Sequence, residues 1–374
     1  MAGALDGIRI ADFSRILAGP YATMLLADLG ADVIKVERPP LGDDTRQWGP
    51  PVDVNGDATY YTSINRNKRS IAIDLATAQG RADALALIRA SDVVIENFVP
   101  GTMEKFGLGY DDLVGDQPDL IYASISGFGR SPAGAKLPGY DLLVQAVGGL
   151  MSITGPDPDT PTKTGVAVVD VITGLHLAFG VLAALRHRDA TGEGQRVDVS
   201  LLGSLLSGMV NQSAAFVGAG VVPKAMGNAH PSIAPYEVFS TADRAVALAV
   251  GNDGQFRACV AALGIPALAD DERFTTNPLR VQHRSALKPL IETALQSAGA
   301  DEWLERFTAV GVPCGPVNSI ADAFALAEQL GIAAVADIDG VPTVAHPVQF
   351  SATPAKYVLH PPAVGNTDID EVLS

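Results

Sequence analysis

The stretch "IRIADFSRILAGPYATMLLADLGADVIKVE", Ile8–Glu37, decides the fold. "IRIADF" (Ile8–Phe13) has the apolar, β-branched character of a short strand, and "DVIKVE" (Asp32–Glu37) reads as another. Between them, "GPYATMLLADLG" is helical, with Pro20 suited to a first helical turn and Gly30 to a stop. A strand, a helix and a strand in close succession predict a βαβ unit and therefore two parallel strands.

The alternation continues outward. "SIAIDL" (Ser70–Leu75), "DVVIENF" (Asp92–Phe98) and "LIYASISGFG" (Leu120–Gly129) read as further strands, with a helical run over Gly80–Ala90. The expected fold class is α/β, a Rossmann-like large domain whose ligands sit at the carboxyl ends of a parallel sheet. The first turn, "SRILAGP", lacks G-x-G-x-x-G, and Glu37 comes too early for the acid that takes a ribose. A dinucleotide is therefore not expected, although a helix start at Pro20 could still face a phosphate, with Arg15 nearby. After Leu201 the character changes. Residues 1–200 form the expected large domain, completed by 315–374, and 223–309 a smaller α+β domain, with 201–222 and 310–314 as linkers. No internal repeat is visible.

The chain has 374 residues, 47% of them hydrophobic, and a net charge of −16, enough apolar content for a sizeable core. Such an acidic protein is not expected to take nucleic acid or an anionic membrane as its partner. An anionic ligand needs a local basic cluster. Two cysteines, Cys259 and Cys314, make no disulfide framework, and "MAGALDGIRIADF" is not a signal peptide, so a cytoplasmic location is expected. The six histidines are scattered without metal-ligand spacing, and no G-x-S-x-G elbow occurs. Neither a metal nor a serine nucleophile is expected, and Cys314 in "GVPCGP" reads as a turn or core residue.

"GVAVVDVITGLHLAFGVLAAL" (Gly165–Leu185) is almost entirely apolar, yet holds Asp170. Desolvating a lone carboxylate is costly, so the residue needs a reason. Asp170 could cap the helix in which Ile172, Leu175, Phe179, Leu182 and Leu185 recur at three- and four-residue steps, or it could carry chemistry. "INRNKRS" gathers Arg66, Lys68 and Arg69, and "VERPPLGDDTRQWGP" supplies Arg38 and Arg46. Each cluster is either a solvated loop or a phosphate clamp.

Taken together, "LAGPYATMLLADLGADVIKVERP", "NRNKRSIAIDL", "VIENFVPGTMEKFGLGYDDL", "GYDLLVQAVGGLMSITG", the Asp170 segment and "GVPCGPV" resemble the family III CoA transferases (CaiB/BaiF type). The likeness covers nearly the whole chain. It is closest to the branch that moves CoA from succinyl-CoA to dicarboxylates such as glutarate or hydroxymethylglutarate, through "TRQWGPP" and "GNAHPSIAPYEVF".

The resemblance implies an interlocked homodimer, no permanently bound cofactor, and CoA thioesters as substrates. It implies Asp170 as a nucleophile that passes through aspartyl mixed-anhydride and aspartyl-CoA thioester intermediates. For CoA it points to Arg15, Ala18, Arg38, Asn67, Lys68, Arg69, Asn97, Phe98 and Lys105. Tyr140 and Asp141 are expected near the active site. Gly227 and His230 fall in "GNAHPS", which corresponds to a glycine-rich lid but holds fewer glycines. Leu17 stands where some formyl-CoA transferases carry a glutamine, so that contact is not carried over. A second acceptor carboxylate would need a cation, for which Arg15 and His230 are candidates.

Two other readings remain open. An α-methylacyl-CoA racemase of the same fold needs proton-moving bases, carrying His-Asp where this chain has Tyr140-Asp141 and a glutamate in a "GAIEPQF"-like stretch where it has "GNDGQF". A non-catalytic CoA-binding protein would keep the basic clusters without needing Asp170.

Overall fold

The computed structural model describes residues 3–374. Six strands form one sheet: β1 (Arg9–Asp12), β2 (Asp32–Glu37), β3 (Lys68–Ala72), β4 (Val93–Glu96), β5 (Ile121–Ser126) and β6 (Arg196–Ser200). Their order is β3-β2-β1-β4-β5-β6, and every neighbouring pair is parallel.

Side-chain alternation divides the core across this sheet. Ile10, Val33, Val93, Ile95 and Ile121 face one side, where Ala22 and Leu26 of the first helix (Ala18–Asp28) meet Leu177 and Val181 of the long helix (Val168–Thr191). Ala11, Ile34, Val94 and Tyr122 face the other, against Ala84, Leu87 and Ile88 of the helix Ala78–Arg89. Both faces being covered, the strands read as near-continuous apolar runs. The chain reverses direction of winding between β1 and β4, so a crevice opens where their carboxyl ends part. That crevice is where the site lies.

The third strand begins at Lys68 rather than Ser70. Lys68 pairs in register with Val33, and its ammonium is buried beneath the sheet rather than projecting into a loop.

The chain divides into two compact units: one takes the chain up to Leu150, Lys163–Val222 and Ala333–Ser374, the other Met151–Thr162 and Pro223–Ile332. This differs from the boundaries expected above. The segment 201–222 is not a linker but two helices of the first unit, Leu201–Gly208 and Val210–Ala219. The second unit also runs past 309. Cys314–Pro316 is β9, hydrogen-bonded to β8 (Ala245–Ala249), which in turn pairs with β7 (Tyr236–Ser240). A segment that completes an antiparallel sheet cannot also be a connection, and the return to the first unit starts at Ala333. Around β7–β9 pack Phe239, Leu248, Phe256, Trp303 and Phe307, the core of an α+β unit.

The long helix is apolar and long enough to cross a membrane by length and composition. Val169, Leu177, Val181 and Leu185 instead pack into the core of the first unit, the more common fate of such a helix.

Candidate active site

Asp170 occupies the third position of the long helix, whose cap residue is Ala167. The capping role considered for Asp170 therefore belongs elsewhere. Asp141 fills it from a distance: its Oδ1 accepts the backbone N–H groups of Val169 (2.8 Å) and Asp170 (3.3 Å). Two orphan donors of the helix start are thus satisfied by a carboxylate attracted to the positive end of the helix dipole. Asp141 Oδ2 accepts the Gln145 amide (2.6 Å), and Gln145 Oε1 accepts the N–H of Thr164 (3.0 Å), fixing the approach to the helix.

With its side chain released from capping, Asp170 faces a cavity of about 240 Å³. Burial and the neighbouring Asp141 carboxylate push its pKa up to about 7. The cavity lies at the carboxyl ends of β1, β4 and β5 and is walled by Leu17, Ala18, Asn97, Gly127, Gly139, Tyr140 and Asp141. Two glycines make part of this wall possible. A Cβ on Gly127 would sit 2.6 Å from the Cα of Gly139, so the two backbones touch where side chains would fill the space.

The turn after β1 is held from several sides. Asn97 Oδ1 accepts the Arg15 N–H (2.9 Å) and Asn97 Nδ2 donates to the Arg15 carbonyl (2.7 Å). Lys35 Nζ donates to the Ser14 carbonyl (3.0 Å) and to Asp43 (2.8 Å), and Asp12 accepts from Ser14. Ile16, between them, has φ +70°, a conformation a β-branched residue adopts only when its surroundings impose it.

A second cavity, of about 390 Å³, adjoins the same turn. It is lined by Phe13, Arg15, Arg38, Leu75, Phe98 and Phe106. Arg15 and Phe98 line both spaces. Arg38 is exposed there and has no side-chain partner among the described residues. Lys105 is exposed at the end of the one-turn helix Thr102–Lys105.

The structure thus brings Arg15, Ala18, Asn97, Phe98, Tyr140 and Asp141 together around Asp170, with Arg38 beside them. It does not bring Asn67, Lys68 and Arg69 to that place, which corrects the phosphate role expected for them. All three lie at the amino end of β3. Lys68 is enclosed, its ammonium on Asp12 (3.3 Å), the Pro20 carbonyl (2.9 Å) and Asn65 (2.9 Å). Arg69 pairs with Asp32 (2.7 Å) at the start of β2. Asn67 ties down the carboxyl-terminal segment through Lys356, Val358 and Leu359. Arg66 is likewise buried against Asp28 (2.6 Å) and Arg46 held by Glu37 (2.6 Å), so neither cluster is a free clamp.

Gly227 and His230 belong to the second unit. Gly227 has φ +62° and donates to the Gly155 carbonyl (3.0 Å), while the His230 ring lies 5.2 Å from that of Tyr236 and accepts the Ser232 N–H. Tyr60 was not among the expected residues. Burial, and after it the charges of Asp170, Asp141 and Asp43, push its phenol up to about 12.

No group of histidine, cysteine and acidic residues among the described residues is arranged to hold a metal. Burial pushes the thiols of Cys259 to about 12 and Cys314 to about 11, so neither ionises readily.

Comparison with known proteins agrees with this arrangement. The model of "CoA-transferase family III" matches residues 5–368. A succinate–glutarate CoA-transferase of Agrobacterium fabrum is 44% identical over 371 residues, covering 96% of this chain and 93% of that one. A succinyl-CoA:glutarate CoA-transferase of Mus musculus is 42% identical over 326 residues, covering 87% of this chain and 74% of its own. Among solved structures, a CaiB/BaiF family protein from Brucella suis superimposes with a TM-score of 0.90 at 42% identity, both chains covered in full. A parallel sheet whose crevice holds a partly buried aspartate, in a chain so matched from end to end, belongs to the family III CoA-transferases.

Proposed function

We propose that this enzyme moves CoA from succinyl-CoA to a dicarboxylic acid by covalent catalysis on Asp170. The observation that carries the reading is the placement of Asp170 in a cavity, freed from capping by Asp141 and reluctant to ionise. A carboxylate poorly solvated at rest gains by bonding to an acyl carbon.

In the proposed sequence the Asp170 carboxylate attacks the thioester carbonyl. The C–S bond breaks, giving an aspartyl–acyl anhydride and CoA thiolate. The thiolate attacks the aspartyl carbonyl, releasing the donor acid and leaving an aspartyl-CoA thioester. The acceptor carboxylate attacks that thioester, and the returning thiolate takes the acceptor acyl group, regenerating Asp170. No step consumes a proton or an electron overall. Oxyanions formed on the way need preorganised donors, for which the backbone N–H groups at the start of the first helix, Leu17 and Ala18, which line the cavity, are candidates. The apolar second cavity, with Arg38 free for phosphate, suits the CoA moiety, with Phe98 lining both cavities and Asn97 and Lys105 as further proposed contacts.

Association into a homodimer is part of the proposal, supported by the exposed apolar face of the long helix, and so is reaction in the cytoplasm. The test is incubation with succinyl-CoA and a panel of acids, reading new acyl-CoA species by mass, with Asp170→Ala alongside. Transfer to a dicarboxylate that the variant lacks, with hydroxylamine trapping of acylated Asp170, is expected. Exchange of an α-proton of a 2-methylacyl-CoA in deuterated water, without transfer, would overturn it in favour of racemisation.

A further inference from the structure

The cavity that holds Asp170 is acidic. Asp44, Asp141 and Asp170 line it, and Arg15 is the one lysine or arginine among the described residues that does so. The whole chain carries −16, so a doubly charged acid entering this space meets repulsion from both the near and the far field.

Arg15 is built to answer that repulsion. Its backbone is clamped by Asn97 on both its N–H and its carbonyl, beside the strained Ile16. Its side chain, by contrast, is half exposed and held by one ion pair to Asp44 (3.1 Å), with the guanidinium over the Phe98 ring at 5.7 Å. An exposed pair of that kind contributes little, so a competing carboxylate can replace Asp44 at small cost. The guanidinium fork matches a carboxylate in two parallel hydrogen bonds. Arg15 and Asp170 line the same cavity. Arg38, unpartnered in the adjoining cavity, leaves Arg15 free of the phosphates.

We propose that Arg15 holds the second, non-reacting carboxylate of the dicarboxylate, on acceptor and donor alike, releasing Asp44 as it does so. This rests on the reading that CoA passes between dicarboxylates at Asp170, and makes Arg15 a specificity-determining residue for that reaction.

The test is direct binding of glutaryl-CoA, butyryl-CoA and free CoA to the Asp170→Ala enzyme, with and without Arg15→Gln. Affinity for glutaryl-CoA is expected to fall about 10- to 100-fold, while affinities for butyryl-CoA and CoA change less than about twofold. Arg15→Lys should recover part of the loss, a charge dependence that disturbed packing of the turn lacks. Asp44→Asn should tighten glutaryl-CoA about two- to fivefold by removing the competitor. An equal fall for all three ligands assigns Arg15 to CoA itself and overturns the proposal, as does no fall for glutaryl-CoA. Failure of the transfer reading shows separately, as absence of transfer to any acid by the unmodified enzyme, and leaves the binding comparison intact.

Discussion

At the scale of single residues, Asp141 and Asp170 act as a pair with opposed needs. In the proposed mechanism Asp170 must be ionised to attack, and burial together with Asp141 holds its pKa at about 7. The kcat/KM for transfer is therefore expected to climb as pH rises through about 7, reporting deprotonation of the free enzyme. Asp141→Asn removes the repulsion and should move that acid limb down by about one unit, at a stability cost of roughly 1 kcal/mol for the weakened cap. A pH–rate profile of both enzymes checks the direction. The same raised pKa bears on folding. Between the ordinary aspartate value of 3.8 and about 7, the folded chain keeps a proton that the unfolded chain has lost, so this group's contribution to stability declines as pH rises. Asp170→Asn should accordingly raise Tm by roughly 2 °C at about pH 8 and by less at about pH 5, measured by thermal unfolding. Asp170 stood out in the sequence because a charge interrupts an apolar run. Its cap did not, because Asp141 is separated from it by 29 positions and hydrogen-bonded backbone leaves no trace in composition.

At the scale of elements, the long helix that carries Asp170 approaches the first helix closely at Gly174. A Cβ on Gly174 would stand 2.6 Å from the Ala18 carbonyl oxygen, and Gly174 lies one turn beyond Asp170. Gly174→Val should push the helices apart, costing about 2–3 kcal/mol and lowering the yield of trapped Asp170 adduct even where the chain remains folded. Unfolding curves and adduct mass at a temperature well below Tm separate the two effects. β3 makes a complementary point. The spacing of isoleucines in "KRSIAIDL" shows a strand but not which end of the sheet its basic residues reach. Lys68 joins the ladder because its ammonium has Asp12, Asn65 and a carbonyl to receive it. Lys68→Ala, which leaves Asp12 less compensated in the interior, is expected to cost about 3 kcal/mol without a selective rise in the KM for CoA thioesters. A phosphate ligand would show the reverse. The βαβ opening was legible because its signals are local. The domain boundaries were not, since β9 is a three-residue strand whose membership is decided by its partner, Ala245–Ala249.

At the scale of the whole molecule, the feature that still asks for a partner is the outer face of the long helix. Leu175 (46% exposed), Phe179 (74%) and Leu182 (40%) follow one another at four- and three-residue steps, opposite the buried Leu177 and Val181. Phe216 and Val217 of the neighbouring Val210–Ala219 helix are exposed as well. A surface of this kind is seldom left to water. A second copy of the chain is the partner proposed above, and the enzyme should sediment at twice its 38.7 kDa. If the copies are interlocked, tagged and untagged protein mixed below the unfolding temperature should not exchange chains, whereas simple face-to-face dimers should exchange on dilution. Charge makes the assembly informative about its own cause. Two chains each carrying −16 repel, so a dimer formed through this face would be held by apolar contact against that repulsion. Salt screens that repulsion while leaving buried apolar contacts intact, and an assembly held this way should persist or tighten as ionic strength rises. One held by surface ion pairs should loosen. Sedimentation across a salt series, with Phe179→Asp as the variant that places a charge within the apolar face, distinguishes the two: dissociation of the unmodified enzyme by salt would assign its association to ion pairs instead.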